Sequence, residues 1–262
     1  MAGVMEFDEA ATRRMEATYL TPDVVAQRCA QLRILEPRAG ERVLDVGCGT
    51  GLFVADIAQT VGAAGRVLGL DLSPHVLTLA RRRCADWSWV SCEQGDASAL
   101  PAGDAEFDAA VSVQVLEYVP DVDRSLGEIH RVLRPGGRVL IVDSDHDAFV
   151  INADDSERQQ RILAAWRAHA THQALPRSLT QRLRRVGFEL MRRELLPMLG
   201  TSVNPHSFAG GLVEFIRAFV VQSGAISEAE AAAWVEDLRA VDGRGDLLLL
   251  LPRFVFLARK PS

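Results

Sequence analysis

Apolar residues in the first half of the chain fall into five short runs. They are Val43–Val46, Arg66–Leu70, Ser88–Cys92, Phe107–Val113 and Arg138–Val142. Each is too short for a helix, and glycines or acids bound most of them, so they read as buried parallel strands. Between them the apolar positions return every three or four residues. Ser73-Pro74 starts one such helix, with Val76, Leu77 and Ala80 inward. Asp121 or Asp123 starts another, with Leu126, Ile129 and Leu133 inward, and Pro135-Gly136-Gly137 stops it. Two helices precede the first strand. The second opens at Thr21-Pro22 and aligns Val25, Cys29 and Leu32.

The rhythm changes after Val142. Helices are expected over Asp155–Ala170 and Ser178–Val186, then a strand over Phe188–Leu196. Residues 201–245 form a helical excursion whose second helix opens with a capping box, Ser227-x-x-Glu230. Arg253–Ala258 returns as the last strand. Alternating strands and helices predict an α/β fold, doubly wound, with ligands held at the carboxyl ends of the strands. Asp45, Asp71, Asp96 and the Asp143-Asp145-Asp147 cluster lie at or near those ends.

One stretch carries a ligand signature. In Val43-Leu44-Asp45-Val46-Gly47-Cys48-Gly49-Thr50-Gly51, a strand meets three glycines and a helix begins at Leu52. Such a turn lets a ligand approach backbone N–H groups closely. The dinucleotide fingerprint requires glycine where Leu52 stands, which disfavours a nicotinamide-dependent oxidoreductase. No Gly-Lys-Ser/Thr follows, so a P-loop is excluded.

Glycines at these positions, preceded by Leu44-Asp45, resemble the first motif of class I S-adenosylmethionine-dependent methyltransferases. Four further pieces agree in order: Leu68–Ser73, Gly95-Asp96-Ala97, Phe107-Asp108 leading to Leu116-Glu117-Tyr118-Val119, and Val132–Gly137. The likeness is to small-molecule methyltransferases of the ubiquinone and menaquinone type, and beyond Asp147 it is architectural. It implies a Rossmann-like seven-stranded sheet whose last strand is antiparallel. The chain's own pattern divides it into an N-terminal helical cap (residues 1–40), a core (41–200 and 246–262) and a lid or substrate insertion (201–245).

Carried over residue by residue, the resemblance gives Gly47, Cys48, Gly49 and Gly51 to the methionine end of S-adenosyl-L-methionine. Asp71 accepts the ribose hydroxyls, a task that suits two carboxylate oxygens. Asp96 takes the adenine amino group, the Ala97 N–H a ring nitrogen, and Leu72 covers the ring. Val113 and Gln114 offer backbone groups to the ammonium. Asp45 acts through water or caps the turn, and Tyr19 closes over the cofactor.

Methyl transfer gains mostly from alignment and exclusion of water, so a base is optional. His146, between Asp145 and Asp147, is the first candidate, its ring oriented by carboxylates; His206 is the second. His75, His130, His169 and His172 read as surface residues. The lid residues Leu212, Phe215, Ile216, Phe219 and Trp234 form either an acceptor pocket or the lid's own core. No metal is expected, because Gln114-Val115-Leu116 lacks the acid that metal-dependent enzymes place there.

Composition narrows the partners. A net charge of -6, with Lys260 the only lysine, argues against nucleic acid. The four cysteines show no CxxC pair or metal spacing, and no membrane segment or signal peptide is evident. A cytoplasmic enzyme methylating O, N or C of a small organic molecule is the leading expectation. A non-catalytic cofactor-binding pseudoenzyme is the alternative.

Overall fold

The computed structural model describes residues 9–262. Helices α1 (Glu9–Tyr19) and α2 (Pro22–Leu35) precede strand β1 (Arg42–Val46). Then come α3 (Leu52–Val61), β2 (Arg66–Asp71), α4 (Pro74–Arg83), β3 (Val90–Gln94) and β4 (Phe107–Val113). Helix α5 (Val122–Val132) runs directly into β5 (Leu133–Ser144), so Leu133 belongs to the strand rather than to the helix. The second half holds β6 (Val150–Ile151), α6 (Ser156–Trp166), α7 (Leu175–Arg185), β7 (Glu189–Gly200), α8 (Phe208–Gln222), α9 (Glu228–Gly243) and β8 (Leu249–Arg259).

The sheet order is β3-β2-β1-β4-β5-β8-β6, with β7 on the other side of β8. Strands β1 to β5 are parallel, and β8 is antiparallel to β5, β6 and β7. Among the described residues the sheet therefore has eight strands rather than seven. The extra one, β6, is a two-residue strand that pairs with Leu249 and Leu250, where β8 starts earlier than its apolar run suggests.

Alternation along the strands sorts the core into two layers. Leu44, Val46, Val139 and Ile141 face α5 and α7, while Val43, Leu140 and Val142 face α2, α3 and α4. Helix α2 corrects the expected face. Its buried residues are Val24, Gln27, Gln31, Ile34 and Leu35, whereas Cys29 is exposed. The glutamines go inside because they are bonded. Gln27 donates to the Leu196 carbonyl at 3.1 Å and accepts from Arg253 at 2.6 Å.

A third apolar cluster joins α6, α8 and α9 to Met198 of β7 and to Leu249 and Leu251 of β8. The β7–β8 ribbon continues past Ser144 of β5 and carries these helices. They are tied back to the N-terminal helices. An added Cβ on Gly211 of α8 would meet the Thr18 hydroxyl at 2.3 Å, and Asp23 accepts the Phe208 N–H at 2.9 Å. Ser227 caps α9 through the Glu230 N–H, as its capping box predicts. Helix α6 ends at Trp166 and tightens into a 3-10 turn, Arg167–His169.

Candidate functional site

The glycine turn is held in place from below. The N–H groups of Gly47 and Cys48 both donate to the Leu70 carbonyl, at 2.7 and 2.8 Å. Gly47 and Gly51 have positive φ angles of 77° and 78° and lie against packed neighbours. A Cβ on Gly47 would stand 2.2 Å from Val115, and one on Gly51 would stand 2.9 Å from Ala80. Gly49 differs. Its φ is also positive, but a Cβ there would meet nothing within 4 Å. One glycine of the three therefore faces open space, as a ligand-contacting position requires.

Asp71, at the end of β2, borders that opening. One of its oxygens accepts the Gly49 N–H at 3.0 Å and the other the Ser73 N–H at 2.9 Å. Ser73 itself makes no capping bond, and Asp71 accepts the N–H of this N-cap residue rather than one of the first helical turn. Four lone-pair sites serve two such donors and leave room for more. Burial raises the Asp71 pKa against the opposing pull of these N–H groups. Leu72, next in sequence, is an apolar side chain left 63% exposed.

Beneath the turn, Asp45 is buried, and burial together with the Asp71 charge pushes its pKa up to about 8. Asp96 is exposed and accepts the Ser98 N–H at 2.7 Å, which lowers its pKa; Ala97 beside it is buried. Gln114 leaves β4 with a left-handed φ of 56°. Its N–H donates to Val142 at 2.7 Å, and its side-chain oxygen accepts from the Ser144 hydroxyl at 2.6 Å. Val113 before it is half-buried.

The candidate base sits differently from the expectation. The His146 side chain is only 6% exposed. Its neighbours in sequence do not orient it, because Asp145 is paired with Arg177 at 2.7 Å and Asp147 with Arg167. The carboxylate that reaches the ring is Glu117, with Oε1 3.4 Å from Nε2. Glu117 is fully buried just past β4, and its other oxygen accepts the Ser144 N–H at 2.9 Å. Asp143 lies beside it with its pKa well raised, first by burial and then by the Glu117 charge.

Sequence reading also misplaced His169. It is buried, stacked on Trp166 with ring centroids 3.6 Å apart, and meets His146 edge-on at 4.4 Å. Phe215 and Phe219 of α8 close edge-on over Trp166, whereas Ile216 and Trp234 are fully buried in the helical core. His172 is half-buried against the Val119 carbonyl, and His130 packs edge-on against Phe188. His75 is exposed. His206 lies in the exposed turn before α8, where its backbone N–H donates to Asn204. The cluster around His146 is built without it.

Tyr19 and Arg253 link the two halves of the site. Burial raises the Tyr19 pKa; Arg253 opposes, and the charges of Glu117 and Asp71 add to the rise, so the phenol lies in the field of both. Helix α1, which carries Tyr19, is pinned to the glycine turn by Arg83. This guanidinium pairs with Glu16 at 2.5 Å and donates to the Thr50 carbonyl. Buried Arg253 of β8 faces Phe208 at 5.0 Å.

Cavities of about 300 Å³ lie at two places among the described residues. One, at Arg66, Trp89 and Val90, lies where β2 and β3 begin, at the end of the sheet away from the glycine turn. The other is lined by His146, Phe149, Leu163, Trp166 and Gln173. Among the described residues no group of three or more His, Cys, Asp and Glu is placed to hold a metal. None of the described helices is long and apolar enough to cross a membrane.

Comparison with known proteins agrees with this geometry. Residues 44–141 match the family model of a methyltransferase domain. The demethylmenaquinone methyltransferase of Lactococcus lactis is 35% identical over 126 residues, 47% of this chain and 50% of that one. A 37.1 kDa protein of a Streptomyces fradiae transposon is 37% identical over 161 residues, 60% of this chain and 46% of its own. The chain thus spans about half the length of the curated relatives it matches. Phosphoethanolamine N-methyltransferase 2 of Haemonchus contortus, solved with S-adenosylhomocysteine, superposes with a TM-score of 0.64 at 22% identity, covering 98% of this chain and 59% of that one. That likeness shows the fold. The chain is similar to class I small-molecule methyltransferases over its alternating strands and helices.

Proposed function

We propose that this chain is an S-adenosyl-L-methionine-dependent methyltransferase acting on an O, N or C nucleophile of a small organic molecule. One observation carries the reading: Gly49 opens to empty space beside Asp71, while Gly47 and Gly51 are packed shut. A ligand that presents a polar chain to the turn and a diol to the carboxylate fits that arrangement. The structural relative from Haemonchus contortus holds S-adenosylhomocysteine, which has both groups.

The residues divide the ligand between them. Backbone groups of Gly47, Cys48 and Gly49 receive the methionine end, with Gly51 giving the turn its tightness. Val113 and Gln114 offer backbone carbonyl groups to the ammonium. Asp71 accepts from the ribose, and exposed Leu72 gains cover from the adenine ring. Asp96 and the Ala97 N–H read the ring edge. Asp45 supports the turn from beneath, and Tyr19 on α1 closes the opening. When bound, the cofactor supplies a methyl group on a positively charged sulfur.

The chain's own part is alignment and drying of the site. Helices α8 and α9, within residues 201–245, act as the lid, and α6 joins them through Trp166. His146 is the candidate base for acceptors that must lose a proton, while exposed His206 is left with binding at the rim. The acceptor named for the Lactococcus lactis relative puts ring compounds among the first to try. Incubation with isotope-labelled methyl donor and a panel of phenols, quinols and amines tests the reading. Label in a small-molecule product supports it, and a ligand-competent protein inert across the panel favours the pseudoenzyme.

A further inference from the structure

Buried polar side chains around His146 have atoms without hydrogen-bond partners: Glu117 Oε1, Asp143 Oδ2, His146 Nε2, His169 Nε2, Gln173 Oε1 and Arg253 Nε. Leaving such groups unsatisfied is costly, so their placement calls for a use. Glu117 is fixed by the backbone. Its Oε2 receives the Ser144 N–H at 2.9 Å, and its Oε1 faces His146 Nε2 at 3.4 Å. The two atoms stand at ion-pair distance without completing a hydrogen bond, and because a carboxylate only accepts, a ring proton on the facing nitrogen is what would join them. That leaves Nδ1 of His146 with a bare lone pair, on a residue that lines the cavity of about 300 Å³ beside Phe149, Leu163 and Trp166.

His169 supports the same polarity. Its Nδ1 lies 2.7 Å from the Trp166 carbonyl, which only accepts, so its Nε2 is bare as well. Burial, and then the neighbouring His146, hold its pKa down to about 3, so it adds no charge. Other charged groups stand near His146. Asp145 and Asp147 pair with Arg177 and Arg167; Asp143 receives the Glu117 N–H at 3.4 Å through one oxygen and Arg253 is bonded to Gln27, each keeping one unpartnered atom, and the Tyr118 phenol faces Glu117 as well. Two bare imidazole nitrogens amid aromatic rings call for a ligand that donates hydrogen bonds and is largely apolar.

Resting on the methyltransferase reading, we propose that Glu117 is a positioning residue: it holds the proton on His146 Nε2, so that Nδ1 serves as base toward a hydroxyl acceptor seated in the cavity beside Trp166. The acceptor's O–H bond breaks, its proton going to Nδ1 and its electron pair staying on oxygen. That pair forms the new O–C bond as the methyl's bond to sulfur breaks, with its pair left on sulfur. A methyl ether, a neutral thioether and an imidazolium result. An alcohol or phenol on an apolar body is the acceptor class this arrangement takes.

Glu117→Gln tests it, because glutamine has one oxygen only. The fixed Ser144 N–H claims that oxygen, which turns the amide NH2 toward His146 Nε2. The ring must then accept there and move its proton to Nδ1, the wrong tautomer for a base. Nitrogen-15 spectra of histidine-labelled full-length chain read the tautomer without acceptor, the His146 signal being identified by its loss in His146→Gln. The expected result is Nε2–H in the wild type and Nδ1–H in Glu117→Gln. Methylation of a phenol panel should fall about 100-fold or more in the variant, with S-adenosylhomocysteine affinity within about twofold of wild type.

An Nδ1–H tautomer in the wild type overturns the proposal without need of any variant. So does a folded Glu117→Gln protein that keeps the wild-type tautomer or full methylation. Failure of the wild type to bind S-adenosylhomocysteine overturns the functional reading itself and the proposal with it. Intact binding with the wrong tautomer overturns the proposal alone.

Discussion

The Asp71 carboxylate accepts the Gly49 N–H at 3.0 Å, joining the end of β2 to the one glycine of the turn that faces open space. Asp71 thereby shapes the opening and borders it. Asp71→Ala removes the acceptor proposed for the ribose and releases the turn, and should weaken S-adenosylhomocysteine binding at least tenfold, about 1.4 kcal/mol. Calorimetry on a variant with a native circular dichroism spectrum checks this. Unchanged affinity in a folded variant would remove Asp71 from the site.

The glycines should separate stability from binding. Gly47→Ala drives a Cβ to 2.2 Å from Val115 at a φ of 77°, and overpacking of this kind costs about 1–3 kcal/mol. Its melting temperature should fall. Gly49→Ala has space for its Cβ and should melt closer to wild type, yet bind S-adenosylhomocysteine at least tenfold more weakly, about 1.4 kcal/mol. Wild-type affinity in Gly49→Ala would mean that the open face is not where the ligand lies.

Buried acids set a pH dependence. Asp45 has a folded pKa of about 8, far above its unfolded value near 3.9. The folded chain then binds the extra proton, so stability is fully present below about pH 4 and is lost as pH rises toward about 8. Asp71 and Asp143 shift in the same direction. His169 works the other way. Its folded pKa of about 3 takes stability away as pH falls from about 6.5 through 3. The opposing effects overlap below about pH 6.5, and the Asp45 slope stands without that opposition from there to about pH 8. Unfolding free energies of the ligand-free protein from urea titrations should therefore fall over that window, by up to about 1.4 kcal/mol per pH unit per group. Asp45→Asn should flatten the fall; an equal slope in the variant would assign it to other groups.

Much of this was legible in the chain itself. Strand β1, the turn and α3 follow from an apolar run, three glycines and a helical pattern, because each requirement is local. The acid at the end of β2 and the capping box at Ser227 are local in the same way. Glu117 was not legible as a site residue. Its partners, Ser144 and His146, arrive from the end of β5, and nothing beside Glu117 in sequence marks that meeting. Histidine 169 looked like a surface residue because only the stacking of Trp166 and the edge of His146 bury it. Helix α2 misled for a related reason: Gln27 is inside because Arg253 and Leu196, more than 160 residues away, satisfy it. Local pattern fixed the scaffold, and long-range pairing made the site.

The central claim is that the glycine turn and Asp71 hold an S-adenosyl ligand. Calorimetric titration of the wild-type chain with S-adenosylhomocysteine, with NAD as control, tests it most directly. Micromolar binding of the first, about -8 kcal/mol, and none of the second is the predicted result. NAD binding without S-adenosylhomocysteine binding, or binding of neither by the folded chain, would contradict it.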